Sequence, residues 1–355
     1  MKCKKILTAL LAAACTMSGC HGDLDIMQDN KLSASNMWID ESDAETATYG
    51  IYLYMRDALK SVHDIYLCWG EFRNGLWGAG TNKTLSGVDQ TQVRTSTMSS
   101  SNAYADWSVM YKTVNQANLI LKHVPEMGIS ESVRNFSLGN AYFSRAWCYF
   151  WIARIWGDAP LALTGYESTA GDLYLPRAPK AEIFARIESD LTEAERYVTD
   201  NSDKAVATPA AVQMLKADYA LWMYRVAGGG SSYLTMAEKA IEALNLSASR
   251  LESDYAQVFS SANKLNKEVI FAVHQANGEA VNGPGYYLGW NSNYVEAAYQ
   301  NNPVPITGGN QWWWYTDRYK ALLTSVEGDT RTKLTGPTTA RRSSRSSGPK
   351  RASGR

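Results

Sequence analysis

Apolar residues recur every three or four positions over most of the chain before residue 250. From Ser42-Asp43-Ala44-Glu45 to Lys60, the positions Ala47, Ile51, Tyr54, Met55 and Leu59 share one side, which predicts a helix. A second helix is expected over 103–124, with Trp107, Met110, Tyr111, Val114, Ala117, Leu121 and Val124 on one stripe and Pro125 ending it. Ser130-Glu131 opens the longest apolar run, in which Phe136, Asn140, Phe143, Trp147, Phe150 and Arg154 step along one side before Gly157 closes it. Pro179 starts a fourth, carried by Ile183, Ile187, Leu191, Ala194 and Val198. Thr208-Pro209 caps a fifth, which reaches Arg225 and stops at Gly228-Gly229-Gly230, and Ala237 to Leu244 predicts a short sixth.

Amphipathic helices of this length, joined by loops, predict a mostly α fold of stacked tetratricopeptide-like hairpins, although the repeat follows no strict period. Beyond Leu251 the texture changes. Glu268-Val269-Ile270-Phe271-Ala272-Val273 reads as one short strand. Gln275 to Gly309, rich in Gly, Asn, Pro and Tyr, reads as long ordered loops, the kind that usually carry function. The expectation is a helical stack plus a loop-rich irregular portion with few short strands.

The ends differ from the body. Lys2, Lys4 and Lys5, an apolar stretch from Ile6 to Ala14, and Ser18-Gly19 before Cys20 have the order of a secretory signal, too short to span a bilayer. No later segment is apolar enough to span one. Residues 338–355 hold six basic residues, no acid and nothing apolar larger than Ala, and read as a low-complexity tail foreign to the rest. The formal charge of zero therefore hides an acidic body: residues 21–337 carry 26 basic against 35 acidic residues, a net of −9. That balance argues against nucleic acid as a partner. Among the cysteines outside the signal, Cys68 and Cys148 are the two left as thiols if Cys20 is acylated. The sequence leaves a bridge between them open, while the helical setting of Cys148 suits a small buried hydrophobe.

Catalytic motifs are sparse. His21, His63, His123 and His274 show no metal-ligand spacing, and there is no Cys-x-x-Cys, nucleophile elbow or P-loop. Neither a cofactor nor an enzymatic activity is expected, and the sequence does not decide whether a metal ion binds. What stands out is an aromatic excess, 12 Trp and 21 Tyr. Trp107, Trp147 and Trp151 fall on helix faces and read as packing. Other aromatics sit in Gly- and Asn-rich loops: Arg73-Asn74-Gly75-Leu76-Trp77-Gly78, Tyr286-Tyr287 with Trp290, and Trp312-Trp313-Trp314-Tyr315. Sugar C–H faces lie against such rings while Asn and Arg satisfy the hydroxyls. The candidate glycan-binding residues are Arg73, Asn74, Trp77, Tyr287, Trp290, Asn291 and Trp313. Three consecutive Trp cannot all face one ligand, so part of the last cluster should pack.

Several blocks resemble the SusD/RagB family of Bacteroidota outer-membrane lipoproteins. They are Leu24-Asp25, Trp38, Asp43-Ala44 and Gly50-Ile51-Tyr52, then the helix Trp107 to Leu121, and above all Ala141 to Leu161, in which an Arg-Ala helix ends in Gly-Asp-x-Pro. Pro176-Arg177, Leu251 to Phe271 and Asp329-x-Arg331 are also similar. The resemblance covers residues 20–335; family members usually continue further, so a C-terminal part is expected to be missing. It implies a signal peptide over 1–19, Cys20 as the lipidated end of a tether over 20–36, and a SusD-like domain over 37–337. It further implies a surface-exposed lipoprotein of the outer membrane, anchored through its lipid alone, that captures an oligosaccharide and passes it to a SusC-like TonB-dependent barrel. The alternative within the family is a peptide-binding RagB-type protein or mainly a structural lid of the transporter.

Overall fold

Asp40 begins the first helix by a reciprocal cap: its carboxylate accepts from Asp43 N at 3.2 Å, and the Asp43 carboxylate accepts from Asp40 N. The resulting helix α1, Glu41–Trp69, continues past the expected end at Lys60. Its last turns bury Ile65, Leu67 and Cys68 against Val93 and Tyr104, a small core of their own. In this computed structural model the described residues are 37–70, 73–78, 88–170, 173–275, 278, 314–323 and 325–329. Helix α2, Val88–Thr95, leads through a 3-10 turn at Ala103–Ala105 into α3, Ser108–His123. The helix expected from residue 103 thus starts later, because Asn102 caps the turn by accepting from Tyr104 N at 2.9 Å.

Helix α4, Glu131–Trp156, is the centre of the molecule. It packs against α3 on one side and α5, Lys180–Tyr197, on the other. Phe143, Tyr149, Phe150 and Ile152 join Ile183, Ile187, Val212 and Tyr219 in the main core, while Leu138 and Ala141 join Ile51, Met55 and Ile120 in a second. A helix buried on several sides has no clean polar face, which is why its sequence read as the longest apolar run. Gly139 lets its backbone approach the end of α5: a Cβ there would lie 2.7 Å from Val198 Cγ2. Helices α6, Pro209–Arg225, and α7, Ser232–Ala243, form the next packed pair, and Gly228 at φ +75° turns the chain between them as expected. The short α8, Tyr255–Val258, follows.

A polar network sits inside this stack. Arg145 donates to both oxygens of Asp190, from Nε at 2.8 Å and Nη2 at 2.7 Å, and from Nη1 to Asn118 Oδ1 at 2.8 Å. Asn118 Nδ2 in turn donates to the carbonyls of Ala162 and Thr164. One guanidinium so ties α3, α4, α5 and the loop that follows α4 in a single register. The same loop is pinned by a two-residue antiparallel ladder between β2, Ala159–Pro160, and β3, Arg177–Ala178.

The strand expected over Glu268 to Val273 does not form. One backbone bond, Ala272 N to Lys204 O at 3.0 Å, replaces a ladder. Phe271 packs instead as a wedge against both larger cores, its ring 5.4 Å from Phe143 and 6.2 Å from Tyr52. Cys68 and Cys148 are buried thiols in different cores, and no bridge joins them. Among the described residues, no helix is long and apolar enough to cross a membrane.

Candidate functional site

Three helices leave a cleft of about 370 Å³ where the C-terminal ends of α1 and α4 meet the middle of α6. Trp69 and Gly70 form one wall, with Arg73 just beyond. Helix α4 supplies Trp147, Trp151, Arg154 and Ile155, and α6 supplies Leu215 and Asp218. Trp147, Trp151 and Arg154 stand four and then three residues apart, so one helix face projects them together. Trp151 is the hinge of the aromatic wall, 5.7 Å from Trp147 and 5.9 Å from Trp69.

The indoles divide by their N–H groups. Trp69 donates to Tyr104 O at 2.8 Å, and Trp156 behind it donates to Ala105 O at 3.0 Å. Trp147 and Trp151 have no acceptor among the described residues, and each is half-buried rather than enclosed. Arg154 lies over the Phe150 ring at 3.9 Å and beside Trp151 at 4.9 Å. Its one ion pair among the described residues, Nη1 to Asp218 Oδ2, is long at 3.4 Å. Burial lowers the Arg154 pKa from its ordinary value, and Asp218 offsets that in part.

The loop after α1 is shaped by Asn74, whose Oδ1 accepts from Leu76 N at 2.8 Å, and by Gly75 at φ +78°. The chain then enters β1, Trp77–Gly78, which pairs antiparallel with β4, Trp314–Tyr315, Trp77 facing Tyr315 and Gly78 facing Trp314. Thr316 N extends the contact to Leu76 O at 2.9 Å, just before the short α9, Asp317–Leu323. Two of the three aromatic loop clusters seen in the sequence are thereby held in one ladder.

Of the expected site residues, Arg73 lines the cleft, Asn74 shapes the loop beside it, and Trp77 contributes its backbone to the ladder. The Trp77 side chain, and all of Tyr287, Trp290, Asn291, Trp313 and Cys20, lie outside the described residues. Trp147 and Trp151, read from sequence as packing, do pack against the main core but also present a face to the cleft. The sequence carried a signal for this: two indoles on consecutive turns of one helix, followed by a cation at the same spacing.

A larger cavity, about 740 Å³, lies along α3 between Tyr54, Trp107, Tyr111, Leu119, Tyr166 and Leu175. Its amides are spent internally. Asn115 bonds both N–H and C=O of Tyr166, and Gln116 Nε2 donates to Ala47 O. The Arg177 guanidinium covers Trp107 at 4.6 Å. These groups hold the loop that follows α4, whereas in the smaller cleft the side chains of Trp147, Trp151 and Arg73 have no hydrogen-bond partner among the described residues.

A family model described as starch-binding associating with outer membrane, SusD-like, matches residues 79–222. The SusD-like protein P38 of Formosa agariphila is 26% identical over 190 residues, 54% of this chain and 36% of that protein. A SusD-like protein of Bacteroides ovatus is 26% identical over 174 residues, 47% and 32% of the two chains. Among solved structures, B. fragilis NanU superposes with a TM-score of 0.70 at 27% identity, covering 86% of this chain and 64% of that one. A SusD superfamily protein from Bacteroides fragilis gives 0.69 at 25% identity, with coverage of 83% and 63%. The chain thus spans about a third of the curated relatives it matches and somewhat under two thirds of these solved structures.

Proposed function

We propose that this chain, a member of the SusD-like family, is a cell-surface glycan-binding lipoprotein that captures an oligosaccharide in the cleft of Trp69, Trp147, Trp151, Arg73 and Arg154. The observation that carries the reading is the pairing of the half-buried indoles of Trp147 and Trp151, whose N–H groups have no acceptor among the described residues, with two guanidiniums in one concavity. Its volume of about 370 Å³ suits one or two sugar rings. Ring C–H faces would lie on Trp151 and Trp147, and hydroxyls would take the indole N–H groups and the arginines. The role is binding and hand-over rather than catalysis, with Cys20 as the lipid anchor in the outer membrane and a SusC-like TonB-dependent barrel receiving the glycan. Titration calorimetry of the chain against an oligosaccharide panel tests the site. Trp151→Ala is expected to weaken glycan binding about tenfold or more while unfolding stays cooperative, at a lower midpoint because the ring also packs on the core. Unchanged affinity would remove the cleft from the proposal.

The peptide-binding alternative draws its support from the larger cavity, whose Leu119, Leu173 and Leu175 would suit apolar side chains. Selective binding of peptides, weakened by Tyr166→Ala and indifferent to Trp151→Ala, would favour that reading.

A further inference from the structure

The cleft is not electrically neutral. Arg73 and Arg154 face it with one acid between them, Asp218, so its lining carries a net positive charge while the body of the chain is acidic. Arg154 is poorly compensated for its position. Its side chain keeps 26% of its exposure, and its flat face is covered by Phe150 and Trp151. A guanidinium offers five N–H donors, and Asp218 takes one of them at 3.4 Å with a carboxylate that is itself 54% exposed. A fork-shaped bidentate pair, the strong form of such a contact, is not made. Arg145, deeper in the same helix, shows the contrast: there both carboxylate oxygens of Asp190 are engaged at 2.7 and 2.8 Å. Arg73 forms no ion pair among the described residues and is exposed at the rim.

A partly desolvated cation with spare donors, stacked on an indole and open to a sugar-sized cavity, is arranged to receive an anion. Neutral sugars need no such excess, since hydroxyls are satisfied by amides and indole N–H groups at lower desolvation cost. We propose that the ligand of this cleft is a sugar bearing an oxyanion, a carboxylate or a sulfate ester, gripped by Arg154 and Arg73 while its ring lies on Trp151. This rests on the cleft being the glycan site. Asp218 has two tasks in this arrangement: it steadies Arg154 in the empty cleft and accepts a sugar hydroxyl when the anion arrives. The lowered pKa of Arg154 agrees, because it reports a cation that water solvates incompletely.

The test compares three probes on the full chain: oligogalacturonides for the carboxylate, sulfated galactan oligosaccharides for the sulfate ester, and malto-oligosaccharides as the neutral reference. One charged class is expected to bind at least about tenfold more tightly than the neutral reference, to weaken with added salt, and to lose about tenfold or more in Arg154→Gln. Arg73→Gln, at an exposed position that does not threaten folding, should lose affinity for the same class by a clearly larger factor than for malto-oligosaccharides. Which charged probe wins identifies the source of the anion. Malto-oligosaccharides bound as tightly as the charged probes, weakened by Trp151→Ala but not by Arg154→Gln, would overturn the anion and leave the cleft as a glycan site. Binding of a charged class that ignores Trp151→Ala and both arginine variants would overturn the cleft along with it. Failure of both charged probes to bind also overturns the proposal.

Discussion

The stack from Glu41 to Ala243 and the stretch after it are held in different ways. In the stack, α4 belongs to two cores at once, and Asn118, Arg145 and Asp190, buried beside it, form a connected polar set. After Leu244, Asn266 is the one residue among those described that is fully buried, while Leu251, Phe259 and Leu265 are exposed. The described residues of that later region form no core of their own and lean on the stack through Phe271 and through Lys204, whose Nζ donates to Asn266 O at 2.7 Å. The comparison teaches where order comes from: helices that bury two faces hold themselves, and a segment with one wedge residue borrows its position.

The contrast is broken most severely from inside the stack. Asp190→Ala would leave the Arg145 charge buried without its carboxylate, at a cost of about 3–5 kcal/mol, read as a lower urea midpoint. The paired change Arg145→Met with Asp190→Leu should recover much of that loss, since two apolar groups need no partners. A recovery no better than the single variant would mean the network is needed for register rather than for charge balance.

Phe271→Ala sharpens the comparison. The ring is half-buried, so the expected loss is about 2 kcal/mol, below the range for a fully enclosed Phe. Its signature is local: amide exchange over 250–275 should quicken while α3, α4 and α5 keep their protection. Uniform loosening of both regions would show that the later segment is part of the stack's own cooperativity.

The smallest effect concerns the loop that follows α4, which is clipped to α3. Glu167 accepts from Lys122 Nζ at 2.5 Å and bonds His123 Nε2 at 2.6 Å, and these contacts hold its pKa below the ordinary 4.5. A carboxylate with a lowered folded pKa adds stability above its ordinary value and loses it as pH falls through the lowered one. Glu167→Gln should therefore lower the melting temperature slightly at neutrality, because a surface pair is screened, and converge with the parent chain below pH 4.5, which flattens the acid limb of the profile. An unchanged acid limb would show that the clip adds nothing to stability.

How far the sequence reached can be followed helix by helix. The boundaries expected for the helices opened by Ser130, Pro179 and Thr208 agree with the structure within a residue or so, because apolar spacing is local, although only Thr208 caps its helix through a side-chain hydrogen bond. The extension of α1 to Trp69 was not legible, since it depends on Val93 and Tyr104 from elsewhere in the chain. Nor was the fate of Glu268 to Val273. An apolar run of strand-forming residues becomes a strand only if a partner edge is present, and here the neighbours are helices that accept Phe271 as a wedge. At the candidate site, Arg73 was legible as part of an Asn- and Gly-rich aromatic loop. Trp151 and Arg154 were not separable from core, because one face of each does pack there.

By itself, then, the sequence determined the helical stack, the bounds of its three central helices, and the kinship visible from Trp107 to Leu161, all properties of residues close together along the chain. Only the tertiary structure decided that Trp69, Trp151, Arg154 and Asp218 share one cleft with Arg73, and that Trp77 pairs with Tyr315. Those neighbours come from three helices and two distant loops. Their meeting depends on how closely α1, α4 and α6 approach, which is set by packing rather than by any local pattern of residues.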